Sequence, residues 1–124
     1  MDETGVVQPG YRTRGVTGSS QFLDTMAHRV RAAYGTSPIP SLAPDIPYPN
    51  IGVGYAVQET NTRVWLSQGQ RLAGRKIAYV SPRVCEETPI PDPQPVFGML
   101  FDNMLKPDGC KLKMSSFMRP RISA

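Results

Sequence analysis

The spacing of apolar residues predicts a first helix near the start of the chain. Between Ser20 and Tyr34, apolar residues recur at intervals of three or four, as they do on one face of a helix. Ser20 can cap the start of this helix, and Gly35 can end it. Residues 1–18 show no such periodicity and are expected to form a disordered arm. Five prolines in residues 36–50 exclude both a helix and a central strand.

After the prolines, the pattern first returns to helical spacing and then changes to short apolar runs. An apolar face over residues 53–68 predicts a second helix, which Gly69 ends. Residues 71–80 are predicted to form a strand, and a second apolar run begins at Val96. Lysine and apolar residues alternate over residues 111–114, which predicts an edge strand.

These elements together predict an α+β fold, with N-terminal helices packed on a few mixed strands. The proline-rich residues 82–95 are predicted to be a loop between two of the strands. A chain of 124 residues is long enough for one hydrophobic core. We therefore treat residues 19–124 as a single folded segment that follows the arm.

Charge and composition narrow the classes of partner. The formal net charge is +4, and all of the excess lies in residues 70–124, where nine Lys and Arg face five Asp and Glu. These cations are scattered and lack the interleaved aromatic residues of a base-stacking surface, so no nucleic acid is expected. No apolar run approaches the roughly 20 residues of a membrane span. Without an apolar leader after the first charges, the cytoplasm is the expected compartment.

Lys76 is the candidate functional residue, because it follows a turn glycine and enters an apolar run. Two interpretations are open for it. Its stem could cover apolar surface while the ammonium group stays in water. Alternatively, it could bind a carboxylate or transfer a proton, with its pKa set by burial and neighbours. Arg75 would point to the opposite face of the strand, so the two cations are not expected to share one role.

An ordered set of short motifs resembles a known family. The set runs from about residue 20 to the end of the chain, and each motif is weak by itself. The matching positions are residues 55–58, 69–77, Ser81, 94–98, 100–101, Met104 and 120–122. The chain resembles the N-terminal part of the 2-keto-4-pentenoate hydratase and 4-oxalocrotonate decarboxylase family, within the fumarylacetoacetate hydrolase superfamily.

The resemblance implies a role for Lys76 and the loss of an acid at Val96. The lysine of the family's Gly-Arg-Lys motif falls on Lys76, and would bind or protonate an enol or keto acid in the active site. The family's Gln-Pro-Asp-Phe-Gly motif carries an acid for proton transfer. Here that position is Val96, whose isopropyl group neither donates nor accepts a proton.

The resemblance also implies a divalent metal, Mg or Mn, bound in the family by two glutamates of a Pro-Arg-Ile-Glu-Ala-Glu motif and a third carboxylate. Ser123 replaces the first of those glutamates, and the sequence stops at Ala124, before the second. Hard cations prefer several oxygen ligands that include carboxylates. We therefore expect no metal to bind this chain, which would be truncated before the family's β-rich catalytic domain.

Two functional hypotheses follow from the resemblance. The first is a hydro-lyase polypeptide of aromatic catabolism, whose small 2-keto or 2-hydroxy-dienoate substrate it no longer turns over as a truncated chain. The second is a non-catalytic interaction subunit, which forms a homo-oligomer or docks onto a full-length hydratase or decarboxylase. A truncated fold leaves sheet edges and apolar patches uncovered, which favours association. A gene fragment without a selected role is a third interpretation.

Overall fold

The computed structural model describes residues 20–46, 51–87 and 94–122. The helices are α1 (Ser20–Ala33), α2 (Ile51–Ser67) and α3 (Pro82–Glu87), and the strands are β1 (Leu72–Ala78) and β2 (Val96–Phe101). The order is α1, α2, β1, α3, β2, and the strands form a two-stranded antiparallel sheet. The predicted α+β class is thus confirmed. The predicted arm 1–18 lies outside the described residues.

The chain divides into two compact units, Met1–Thr60 and Asn61–Ala124, with the division inside α2. In the first unit, the apolar spacing of α1 places Met26 and Ala27 in a small core with Val57 of α2. Phe22, Leu23, Val30 and Leu42 pack around this core. The periodicity that predicted the first helix therefore also identified the side of the helix that is buried.

Within the same unit, an ion pair links the proline-rich connection, residues 36–46, to α1. Ala43–Asp45 forms a single 3-10 turn after the extended prolines. The Asp45 carboxylate accepts a charge-assisted hydrogen bond from the Arg29 guanidinium group on α1. No strand or α-helix forms in residues 36–46, as the prolines predicted.

Gly69 ends α2 and turns the chain into β1. Its φ of 91° lies in the left-handed region that glycine adopts without strain. The Gly69 N–H donates to the Leu66 carbonyl and the Gln70 N–H donates to the Trp65 carbonyl, both at 3.0 Å. This pair of bonds is the Schellman arrangement, which satisfies carbonyls left open at the helix end. The predicted end of the second helix is confirmed.

In the second unit, the best-buried side chain is Phe101 at the end of β2, which has no solvent exposure. Its ring meets that of Trp65 edge to face, with 5.2 Å between centroids and an interplanar angle of 73°. Aromatic pairs in this geometry stabilise beyond the area that they bury. The contact joins the end of α2 to the sheet.

A network of hydrogen bonds closes the hairpin where β1 begins and β2 ends. The Asp102 N–H donates to the Arg71 carbonyl at 2.9 Å. In return the Asp102 carboxylate accepts from the Arg71 N–H at 3.2 Å and from the Asn103 N–H at 3.0 Å. The Arg71 guanidinium Nε lies 3.5 Å from the same carboxylate.

The Arg71 backbone N–H is the largest influence on the pKa of Asp102, which it lowers. The Asn103 N–H and the Arg71 guanidinium group lower this pKa further, and partial desolvation opposes them. The ionised carboxylate is therefore favoured in the folded state.

Two sequence predictions for this unit are wrong. Residues 111–114 are exposed and form no strand, because the described residues offer no third strand for them to pair with. Residues 82–87 form α3 rather than a loop. Proline suits the first position of a helix, and the Ser81 hydroxyl accepts a hydrogen bond from the Val84 N–H at 3.3 Å, which caps it.

Replacing Phe101 by alanine is expected to lower the free energy of unfolding by about 3–5 kcal/mol, because it empties a fully buried site and removes the contact with Trp65. Urea denaturation followed by tryptophan fluorescence measures the loss. Phe117→Ala is the control, since Phe117 is 45% exposed and its truncation should cost about 1 kcal/mol or less. Equal losses in the two variants would contradict the assigned core.

The lowered pKa of Asp102 makes stability depend on pH in a defined direction. The contribution of its carboxylate is complete above the unfolded-state pKa of about 3.9, and is lost as the pH falls through the lower folded-state pKa. Asp102→Asn should therefore be less stable than the wild type at pH 7 and lose less stability on acidification. Asp108→Asn, at an exposed turn, is the charge-matched control for urea midpoints at pH 7, 4 and 3. A wild-type acid dependence in Asp102→Asn would refute this assignment.

Candidate functional site

The β1–β2 register determines which residues surround Lys76. Lys76 lies directly opposite Gly98, and Ala78 lies opposite Val96. Side chains alternate between the two faces of a sheet, so these four positions share one face. We call it the lysine face. Diagonal neighbours on such a face lie roughly 7–8 Å apart, which is the relation of Val96 to Lys76.

The opposite side of the hairpin, the aromatic face, carries the residues that pack. Arg75 lies opposite Met99, and Ile77 lies opposite Phe97. Phe101 belongs to this face because it is two residues beyond Met99 on the same strand. Arg75 and Lys76 therefore point to opposite faces, as predicted from their adjacency.

A β-bulge allows Leu72 and Lys76 to lie on different faces. The register shifts between Leu72 and Gly74, so that Ala73 is an extra residue in β1. Leu72 consequently lies opposite Phe101 on the aromatic face. In a regular strand, Leu72 and Lys76 would share a face, because they are four residues apart. Because Leu72 lies opposite Phe101, the bulge places Lys76 on the face of the sheet away from Phe101.

Lys76 is exposed, as are most residues of β1. Ile77, on the other face, is 60% exposed. The strand ends at Ala78 because Tyr79 takes a φ of 58°, which side-chain-bearing residues rarely adopt. The strand predicted over residues 71–80 is therefore shorter than expected, and Tyr79 does not continue it.

The structure brings together two of the three positions singled out in the sequence. Lys76 and Val96 share the lysine face, whereas Ser123 lies outside the described residues. The sequence did not identify Gly98 as the direct partner of Lys76, because strand register depends on the length and path of the connection. The signal available was a glycine inside an apolar strand.

The carboxylates of three ion pairs have structural roles. Asp45 binds Arg29, Glu87 binds Arg83 with 2.9 Å between Oε1 and Nε, and Asp102 closes the hairpin. Within residues 20–46, 51–87 and 94–122, no three His, Cys, Asp or Glu side chains gather where they could hold a metal ion.

None of the described helices is long and apolar enough to cross a membrane.

Comparisons with known proteins identify relatives of the chain, although no family model matches it. It is 44% identical over 70 residues to 2-keto-4-pentenoate hydratase 2 of Dechloromonas aromatica strain RCB, covering 56% of this chain and 26% of that protein. It is 32% identical over 103 residues to a 2-keto-4-pentenoate hydratase of Paraburkholderia phymatum, covering 82% and 38%. A third relative is the 2-oxo-hept-4-ene-1,7-dioate hydratase of Escherichia coli, 34% identical over 77 residues, covering 60% and 28%.

The match to the Paraburkholderia protein includes the whole hairpin. It leaves 18% of the 124 residues unmatched, which is about 22, and 23 residues follow Phe101. Because fewer residues are unmatched than follow Phe101, a continuous match cannot end before the end of β2. The chain spans between about a quarter and two fifths of the length of the relatives described above. Over the segment that it shares with them, the chain is similar to 2-keto-4-pentenoate hydratases, as a fragment of that family would be.

Proposed function

We propose that the lysine face binds the carboxylate of a 2-oxo or 2-hydroxy-dienoic acid, as part of a hydro-lyase polypeptide of the 2-keto-4-pentenoate hydratase type. The observation that supports this proposal is the position of Lys76, exposed and opposite a glycine on the face away from Phe101. The names of the relatives supply the substrate class. The same proposal places the polypeptide in the breakdown of aromatic compounds.

The chemistry of the ammonium group suits this role. Lys76 Nζ carries three donors, and its hydrogen bonds to a carboxylate are charge-assisted. Its exposed position allows an acid to approach without displacing packed side chains. A lysine at such a position can also give a proton to the carbon of an enol while the enol hydroxyl loses its own proton, which forms the ketone. The later addition of water needs a second group that takes a proton from the attacking water.

Among the described residues, the lysine face carries no side chain that could act as this second group. Val96 occupies the diagonal position next to Lys76, and its side chain cannot accept a proton. The carboxylate of Asp102, which follows the end of β2, is bound by Arg71. We therefore propose that this 124-residue chain binds the acid without hydrating it.

We expect the chain to bind 2-oxopentanoate, a saturated 2-oxo acid, at Lys76. Titration of the ¹⁵N-labelled chain should shift the amide signals of β1 and β2. Lys76→Met should abolish these shifts and change the free energy of unfolding by less than about 0.5 kcal/mol, because the side chain is exposed. In a parallel assay with 2-hydroxypenta-2,4-dienoate and Mg²⁺, we expect no turnover above background.

Arg75→Met is the matched control, since it removes an exposed cation from the adjacent position on the opposite face. It should leave the amide shifts unchanged. If Arg75→Met and Lys76→Met weaken binding equally, attraction to the acid is general and the proposed site is rejected. Metal-dependent hydration by the purified chain would reject the proposed lack of turnover.

A second candidate function is a non-catalytic interaction subunit. Large apolar side chains are exposed within residues 61–87 and 94–122, which include the two-stranded sheet. They include Ile77, Val80, Leu105, Leu112, Met114 and Met118. Apolar surface in this amount is typical of an association face, and the outer edge of each strand offers backbone donors and acceptors.

If this second function holds, the purified chain should not remain a monomer at micromolar concentrations. Size-exclusion chromatography with light scattering measures its mass directly, and Met114→Lys should reduce association by placing a charge in exposed apolar surface. Thr36→Lys, an exposed position in the first unit, adds the same charge as a control. A well-folded monomer across the concentration range would contradict the interaction subunit.

A further inference from the structure

Gly98 occupies a position where glycine costs stability. It lies inside β2, and glycine in a strand interior is about 0.5–1 kcal/mol less favourable than alanine. A strand glycine commonly marks a bulge, a backbone conformation closed to other residues, or a place where a ligand or a second backbone approaches closely. The structure allows each of these reasons to be examined.

The first two reasons do not apply to Gly98. The register shift of the hairpin lies between Leu72 and Gly74, away from the Lys76–Gly98 pair. The glycines with positive φ in the described residues are Gly35, Gly69 and Gly109. Packing gives no reason either, because a Cβ built on Gly98 would have no other atom within 4 Å. Folding of the described residues therefore leaves the absence of a side chain unexplained.

The neighbours of Gly98 indicate what approaches it. Lys76 lies directly across the sheet and provides a cation. Val96 and Leu100, two residues before and after Gly98, lie on the same face of β2. On β2, the lysine face thus lacks a side chain at Gly98, between the apolar side chains of Val96 and Leu100 and opposite the ammonium group of Lys76. Gly74, beside Lys76 on β1, also carries no side chain on this face. A carboxylate with a short carbon chain has the complementary chemistry.

We propose that Gly98 is a specificity-determining residue, which keeps open the space opposite Lys76 where the carboxyl end of a 2-oxo acid lies against β2. The proposal rests on the proposed function of the lysine face. It adds that the shape of the site, and not only its charge, depends on this position. A side chain at Gly98 would occupy the volume that the carboxylate needs, without disturbing any contact made within the chain.

The test compares the effect of one substitution on stability with its effect on ligand binding, and the two effects are expected to have opposite signs. Gly98→Val should maintain or raise the urea midpoint, because β-branched residues favour strands and the position is open. The same variant should weaken binding of 2-oxopentanoate by about tenfold, comparable to the discrimination that one or two misplaced methyl groups produce in a pocket. Gly98→Ala should give an intermediate dissociation constant. Both constants are obtained by amide-shift titration of the full 124-residue chain.

Gly54→Ala is the matched control, because a Cβ there also meets no atom within 4 Å and the position is exposed on α2. It should bind the probe as the wild type does. If Gly98→Val binds as tightly as the wild type while Lys76→Met does not bind, the role of Gly98 is refuted and the lysine site stands. If the wild type does not bind, or if Lys76→Met binds equally well, both proposals fail.

Two further outcomes would overturn the role of Gly98. A lower urea midpoint in Gly98→Val would show that glycine is required for folding. A changed mass by light scattering with unchanged probe binding would show that the gap accommodates another polypeptide chain. Weaker binding in a variant of equal or greater stability supports the proposal, because a purely structural role predicts the opposite change in stability.

Discussion

The register of β1 against β2 is the constraint on which the arrangement of the second unit depends. Side chains in a strand alternate with a period of two, so a slip of one residue would exchange the faces of every side chain on it. Three features oppose such a slip: the contact of Phe101 with Trp65, the hydrogen bonds between Arg71 and Asp102, and the bulge at Ala73. All three lie at the same end of the hairpin. From this end the ladder continues regularly to the pair formed by Ala78 and Val96.

Three carboxylates of the described residues are engaged in ion pairs within the chain. The carboxylates of Asp45, Glu87 and Asp102 each have an arginine partner, which restricts their use as a base or a metal ligand. At Val96, where the resemblance places an acid, the strand gains a β-branched residue that suits its geometry. The hairpin is therefore more complete as a folding unit than as an active site.

Local signals explain which parts of the fold the sequence predicted. Gly35 and Gly69 ended the two helices as expected, because a left-handed helix end is a property of a few adjacent residues. The small core on α1 followed from its apolar spacing. Non-local features were not predicted. The pattern of residues 111–114 indicates which face is apolar, but it does not indicate whether a partner strand exists. The bulge at Ala73 has no sequence marker beyond the adjacent glycine.

Only part of the candidate site was predicted from the sequence. The motif identified Lys76, and the adjacency of Arg75 correctly placed that cation on the opposite face. The pairing of Lys76 with Gly98 could not be predicted, because it depends on the connection between the two strands. Lys76 is exposed because a strand in a two-stranded sheet has too few neighbours to be covered.

The separation of the two faces has a consequence for how this sequence changes over time. The aromatic face is constrained by folding, because substitutions at Phe101 disturb a buried contact. Gly98 on the lysine face meets no atom that a new methyl group would displace, so folding does not oppose a side chain there. Glycine retained at this position would therefore reflect a constraint other than folding. Among homologues of this chain, the variability of the position opposite the lysine would report that constraint separately from the ability of the protein to fold.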